Sequence, residues 1–368
     1  MTQRYFIGLM SGTSLDSVDA VLVSFEPEFK LHYSHSHPLP PPIRAQILAL
    51  CAPGENEIEQ MGVLDRALGR LFADATEALL AHSGINRSEI RAIGSHGQTL
   101  RHHPELGFSL QIGDPATLAE QTGITCVADF RRRDLAAGGQ GAPLVPAFHE
   151  ALFRTPEQDR VLVNLGGMAN ITLLPASNQA PVSGYDTGPG NILMDSWIQS
   201  VKGEAFDANG QWAASGRVNP LLLERLLADA YFQQPPPKST GRERFNLAWL
   251  EHHLRGTEVE IPNADVQATL LELTARSLAE SIRSHALPHP GVYLCGGGSH
   301  NAALHLRLQD LLPEARIAST DTIGLPPDWM EAAAFAWFAK RTLNRETSSL
   351  ASVTGAQGNR ILGSIYLP

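Results

Sequence analysis

Twice the chain runs a short apolar stretch into a glycine-bearing polar turn and out through a second apolar stretch, and this repetition limits its architecture more than any other feature. In the first copy, RYFIGLMSGTSLDSVDAVLVSFEP, the runs 5–10 and 20–25 flank a Gly/Ser/Thr/Asp turn; the second, VLVNLGGMANITLLP, follows the polar segment TPEQDR and opens near Val161. Aliphatic and β-branched runs bounded by turn formers read as the paired strands of a hairpin. Helical spacing fills the intervals between such strands. Met61, Leu64, Leu68, Leu71, Ala75 and Leu79 recur at three- and four-residue steps, which predicts a helix over 57–82 ended by Gly84. Asp114-Pro115 marks another helix start, with the carboxylate as cap and Pro in the first turn. Val266, Leu270, Leu273 and Ile282 define an amphipathic helix over 264–285, and an Ala/Phe/Trp-rich helix is expected over 328–343, followed by a loose tail.

Strands alternating with helices predict an α/β protein, and 368 residues that are 43% hydrophobic can bury two cores. The expected division is 1–135 and 136–368, with the tail able to return to the first domain. Lys and Arg total 28 against 38 Asp and Glu, a net charge of −10 that argues against coating nucleic acid or anionic lipid. The amino terminus is too briefly apolar for a signal peptide, and no stretch approaches the ~20 apolar residues that span a bilayer. Cys51, Cys126 and Cys295 are widely spaced, without a Cys-x-x-Cys pair, as befits a reducing, cytoplasmic setting. His32, His35 and His37 lie without a Cys or carboxylate close in sequence and read as surface or strand residues.

Three glycine turns could hold a ligand: SGTSLDSVD, LGGMAN at Leu165 and CGGGSHN at Cys295. Glycine admits positive φ and lets a ligand approach the main chain, so successive N–H groups can converge on phosphate oxygens. Each turn could equally do no more than connect its strands. Other nucleotide and nucleophile motifs fail on spacing. Lys238-Ser239-Thr240 lacks the glycines of a P-loop, Asn301 stands where a dinucleotide fingerprint needs Gly, and Ser11 is one residue out of register for a hydrolase elbow. In PVSGYDTGPGNILMDSW, Asp186 precedes a Gly-Pro-Gly turn and an apolar helix from about Ile192. A carboxylate there can act as a general base, or it can cap the helix.

These segments, with GSHGQT, QIGDP, ADFRRRDLAAGGQGAPLVPAFH and KSTGRERFN, occur in an order that resembles the anhydro-N-acetylmuramic acid kinase family over nearly the whole chain. The resemblance implies the actin, hexokinase and sugar-kinase fold: two ribonuclease H-like α/β domains with ATP and sugar in the cleft between them. It implies an ATP- and magnesium-dependent phosphotransferase of cell-wall recycling, which turns 1,6-anhydro-N-acetylmuramic acid into N-acetylmuramic acid 6-phosphate, in a homodimer. By position, Gly12, Thr13, Ser14, Leu15, Asp16, Ser17, Val18 and Asp19 are similar to the family's first phosphate loop, and Asp186 to its catalytic aspartate. Gly166 and Gly167 correspond to the second phosphate loop, and Gly296, Gly297 and Gly298 to the nucleoside turn.

Two departures from the family pattern are expected to matter. Ser17 stands where many members carry Gly, which would cost of order 1 kcal/mol if that position needs positive φ, and Asp114 replaces a frequent Asn on the sugar side. The place of the wider superfamily's magnesium aspartate is taken by Met10, leaving Asp16 and Asp19 as metal candidates. Arg131, Arg132 and Arg133 could supply one guanidinium to the substrate's lactyl carboxylate; His96 and Glu331 are further sugar-site candidates. Trp197, Ile198 and the Ala/Phe/Trp helix offer apolar surface for a dimer. The rival readings are a phosphatase or exopolyphosphatase, or another sugar kinase of the same superfamily, and a sugar-kinase-like repressor, for which the first hairpin leaves no room for a preceding helix-turn-helix.

Overall fold

The computed structural model describes residues 4–12, 14–255 and 260–368. The chain forms two units, residues 1–152 with 329–368, and 153–328, a later division than 135/136 and one that assigns the closing segment to the first unit.

In the first unit, β1 (Tyr5–Met10), β2 (Ser17–Ser24) and β3 (Lys30–Pro38) form an antiparallel meander. Strand β4 (Ile90–Ser95) lies parallel to β1, β5 (Gln98–His103) and β6 (Phe108–Ile112) form a separate hairpin, and β7 (Cys126–Ala128) adds parallel to β4. The second unit repeats the plan. Strands β8 (Arg160–Leu165), β9 (Met168–Leu174) and β10 (Ser183–Pro189) run antiparallel, then β11 (Gly291–Cys295) and β12 (Arg316–Ser319) add parallel to β8. The sheet orders are β7-β4-β1-β2-β3 and β10-β9-β8-β11-β12, the same five-strand topology twice, which is that of a ribonuclease H-like domain. Each glycine hairpin foreseen in the sequence is the first turn of its sheet.

The central strands read as continuous apolar runs because both faces are covered: Phe6, Ile7 and Leu9 in β1 and Val161, Leu162 and Val163 in β8 are all buried. The Glu57–Ser83 helix buries Leu64, Leu68, Leu71, Ala75 and Leu79, and Gly84 closes it in the left-handed conformation. The Asn263–Arg283 helix buries Val266, Leu270, Leu273 and Ile282. On its face Glu272 is buried, yet accepts Arg276 Nε at 2.7 Å and Arg307 through two bonds at 2.6 and 2.8 Å.

The expected loose tail is ordered. It forms a short helix, Ala351–Thr354, and a strand, β13 (Ser364–Tyr366), that extends the first sheet against β7. Thr354 Oγ1 donates to the buried Asp134 at 2.7 Å, and the Thr354 carbonyl accepts the Gln140 amide. These bonds join segments distant in sequence, which no local pattern could announce. The Met330–Leu343 helix lies on β1 and β4 at their glycines. A Cβ on Gly8 would meet the Ala332 carbonyl oxygen at 1.8 Å, and one on Gly94 the Phe335 carbonyl oxygen at 2.0 Å. Its Ala, Phe and Trp residues 332–339 are buried against this unit, and Ile198 is likewise a core residue. Of the apolar residues that the sequence offers to a dimer, the helix and Ile198 thus pack inside the monomer, whereas Trp197 is only half-buried.

Candidate functional site

Asp186 lies within strand β10 rather than in a loop, at a register shift between Asp186 and Gly188. Its main chain and side chain are both held by the segment 231–240. Asp186 N donates to the Lys238 carbonyl at 3.2 Å, and the Tyr231 hydroxyl donates to the Asp186 carbonyl at 2.7 Å. Ser239 Oγ and Thr240 N each donate to Oδ2 at 3.0 Å, while Oδ1 accepts no bond from the described residues. Burial raises this carboxyl above the ordinary aspartate value, and the Thr240 and Ser239 bonds oppose that rise in part. The helix that follows, Ile192–Lys202, has Asn191 at its cap position, so Asp186 is not spent on capping.

The LGGMAN turn is locked to the loop after β10. Gly167 O accepts the Gly190 amide at 2.8 Å, and Gly166 O accepts the Asn191 amide at 2.9 Å. In CGGGSHN the three glycines divide by role. Gly296 has φ +76, and its Cβ would meet Asn164 Oδ1 at 2.4 Å; a Cβ on Gly298 would meet Asn191 Oδ1 at 2.6 Å. Those two let neighbouring segments approach. Gly297 has open space around it, so it is the glycine whose bareness a ligand can use.

In the first hairpin Thr13 lies outside the described residues. Ser17, Val18 and Asp19 belong to strand β2, so the turn proper is shorter than the expected loop, and Val18 is fully buried. The left-handed residue is Leu15, at φ 58 with its side chain in the core; Ser17 pairs with Pro38 in the sheet, so the cost expected for Ser17 does not arise. Asp16 is exposed and faces Arg44 at 3.8 Å. The Asp19 carboxylate accepts the hydroxyls of Ser17 and Ser36, each at 3.0 Å. Among the described residues no group of three His, Cys, Asp or Glu side chains forms a metal site. Asp114 caps the Pro115–Thr122 helix through the Ala116 amide and Thr117 hydroxyl, as its place ahead of Pro115 predicts.

The sugar-site candidates of the first unit converge. Arg131 Nη2 donates to His96 Nε2 at 2.9 Å and Nη1 to the Gly141 carbonyl at 2.8 Å, while Arg131 Nε is buried without a partner among the described residues. Burial lowers Arg131 to about 10 against the attraction of Glu331 and Asp134. Burial and the Arg131 charge hold His96 well below the usual imidazole value. Ser11, just after β1, donates to the buried Gln98 at 2.7 Å in the same unit. Arg132 and Arg133 turn elsewhere, to a separate cavity of about 450 Å³ with Asp129 and Ser364. The roles of Tyr231, Ser239 and Gln98 escape a reading of the sequence; Ser239 and Gln98 are signalled only by KSTGRERFN and GSHGQT belonging to the string of segments that carries the resemblance, and Tyr231 by nothing.

Two ribonuclease H-like units, each opening on a glycine hairpin, with a half-buried carboxylate on an edge strand of one, make an α/β protein with the doubled sheet plan of the sugar-kinase architecture. The model of the anhydro-N-acetylmuramic acid kinase family matches residues 4–368, and the chain belongs to that family. A relative from Pseudomonas paraeruginosa with that name is 54% identical over 366 residues, covering 100% of both chains. One from Coxiella burnetii is 50% identical, covering 100% of this chain and 98% of its own, and one from Shewanella amazonensis is 52% identical, covering 100% and 99%.

Proposed function

We propose that this chain hydrolytically opens 1,6-anhydro-N-acetylmuramic acid and phosphorylates O6 with ATP, giving N-acetylmuramic acid 6-phosphate and ADP. Membership of the family over residues 4–368 is the observation that carries this reading. The difficulty of the reaction lies in the acceptor, whose O6 is tied to C1. Asp186 takes a proton from water, the water oxygen bonds to C1, the C1–O6 bond breaks, and the released O6 takes the γ-phosphoryl group while ADP departs. Oδ1, which has no protein donor among the described residues, is the atom suited to receive that proton.

Main-chain amides at Gly12–Asp16 and at Gly166–Gly167 are proposed to bind phosphate oxygens, and Gly297 to lie against the nucleoside. Arg131, His96 and Glu331 are proposed to hold the sugar, with Arg131 on its carboxylate. Magnesium, carried mainly by phosphate oxygens and water, would neutralise charge on the transferred group. The engaged state of Asp19 supports a small protein share in holding it. Three cysteines, none of them in a disulfide, support a reducing, cytoplasmic setting, and the family reading carries the homodimer with it. Among the described residues no helix is long and apolar enough to cross a membrane.

The test is to incubate the protein with ATP, magnesium and the anhydro sugar in ¹⁸O-labelled water. The label is expected at C1 of a 6-phosphorylated product. Rapid sugar-independent phosphate release would favour the phosphatase reading instead.

A further inference from the structure

The segment KSTGRERFN performs no step of the proposed reaction, yet three of its residues in a row, Lys238, Ser239 and Thr240, bond to Asp186. It is seated by contacts with the segment before it and the helix after it. Lys238 Nζ donates to the Tyr231 carbonyl at 3.2 Å and lies over the Tyr231 ring at 4.7 Å. Arg244 Nε donates to Asp229 at 3.1 Å, and the fully buried Phe245 packs edge-on against Tyr231 and Trp249. From this platform the Ser239 hydroxyl and the Thr240 amide both reach Oδ2 of Asp186, and neither touches Oδ1. The asymmetry leaves Oδ1 without a donor among the described residues. Thr240 also carries a buried hydroxyl, Oγ1, that has no hydrogen-bond partner among the described residues. A buried hydroxyl left unpaired costs free energy unless a ligand completes it.

We infer that Ser239 and Thr240 belong to the acceptor side of the reaction: Ser239 is a positioning residue that orients Asp186, and Thr240 Oγ1 hydrogen-bonds the anhydro sugar or the water that attacks it. This assignment rests on Asp186 being the base. It accounts together for the one-sided bonding of the carboxylate and the unpaired hydroxyl beside it, which capping of a turn would not require.

The experiment uses the full-length enzyme with ATP and the anhydro sugar. Ser239→Ala removes a donor to the ionised carboxylate, so the acid limb of kcat/KM is expected to move up by about half to one pH unit, with kcat down about tenfold and KM for ATP unchanged. Ser239→Thr should restore both. Thr240→Val keeps the amide and loses only the hydroxyl; kcat/KM for the sugar is expected to fall about tenfold or more, and Thr240→Ser to recover it. An unshifted pH profile in Ser239→Ala, or unchanged sugar kinetics in Thr240→Val, overturns the assignment, as does a loss confined to thermal stability. Asp186→Asn run in parallel separates the two levels: if it retains turnover the base assignment fails, whereas an inactive Asp186→Asn beside a wild-type-like Ser239→Ala removes only the positioning role of Ser239.

Discussion

Arg131 Nη2 lies 2.9 Å from His96 Nε2, and because a guanidinium only donates, that imidazole nitrogen is an acceptor and the ring is neutral, with its proton on Nδ1. Burial, then the Arg131 charge, keeps it so. His96 is therefore expected to contribute no protonation step between about pH 6 and 7, where an ordinary histidine titrates. Histidine-selective NMR checks this: the ring assigned to His96 should not titrate in that range, and a midpoint near the ordinary value would refute the arrangement.

Replacing Arg131 by Lys removes the fork that serves His96 and the Gly141 carbonyl together. Two buried acceptors then lose their donor, a destabilisation of about 1–3 kcal/mol. Urea unfolding should show it, alongside a raised KM for the sugar and an unchanged KM for ATP.

Asp186→Asn is expected to abolish turnover while nucleotide binding persists. Because burial raises this carboxyl in the folded state, its ionised form weakens the fold above the folded pKa, and the penalty is relieved as pH falls toward the unfolded value. The Asn variant should thus melt no lower than the parent at neutral pH. A large loss in Tm would contradict the sign.

Glu272 behaves in the opposite way. Burial disfavours its charge, but the bonds from Arg307 and Arg276 outweigh that and hold it below the usual carboxylate range. Its contribution to stability is present above the unfolded carboxylate pKa and is lost as pH falls through the folded one. Glu272→Ala should cost about 1–3 kcal/mol at neutral pH, since Arg276 and Arg307 are partly exposed, with a smaller cost in strong acid, read by chemical denaturation at several pH values.

Gly296 and Gly297 separate folding from binding. Ala at Gly296 must adopt positive φ and collide with Asn164, so it should lower stability by about 1–2 kcal/mol or more. Ala at Gly297 meets open space, and its effect should appear as weaker ATP affinity at unchanged Tm. Equal behaviour of the two variants would show that the turn has no contact with nucleotide.

Local chemistry was legible in the sequence wherever its cause lies in neighbouring residues. The helix over Glu57–Ser83 follows from apolar spacing and Gly84, the cap at Asp114 from a carboxylate ahead of Pro, and the two hairpins from glycine between β-formers. Asp186, too, could be singled out by the residues around it. What it touches could not, because Ser239 and Thr240 arrive from more than 50 positions away.

By itself, then, the sequence determined the family, two sheets each begun by a hairpin, the amphipathic helices and the carboxylate to watch. Tertiary structure alone decided that Arg131 turns toward His96 while Arg132 and Arg133 face another cavity, and that Leu15 rather than Ser17 takes the left-handed position. It also returned the Met330–Leu343 helix to Gly8 and Gly94 and made an ordered strand of the tail. The reason is the range of the forces involved: turn and helix preferences are settled within a few residues, whereas packing and the pairing of buried polar groups are settled by whichever distant segments the folded core brings together.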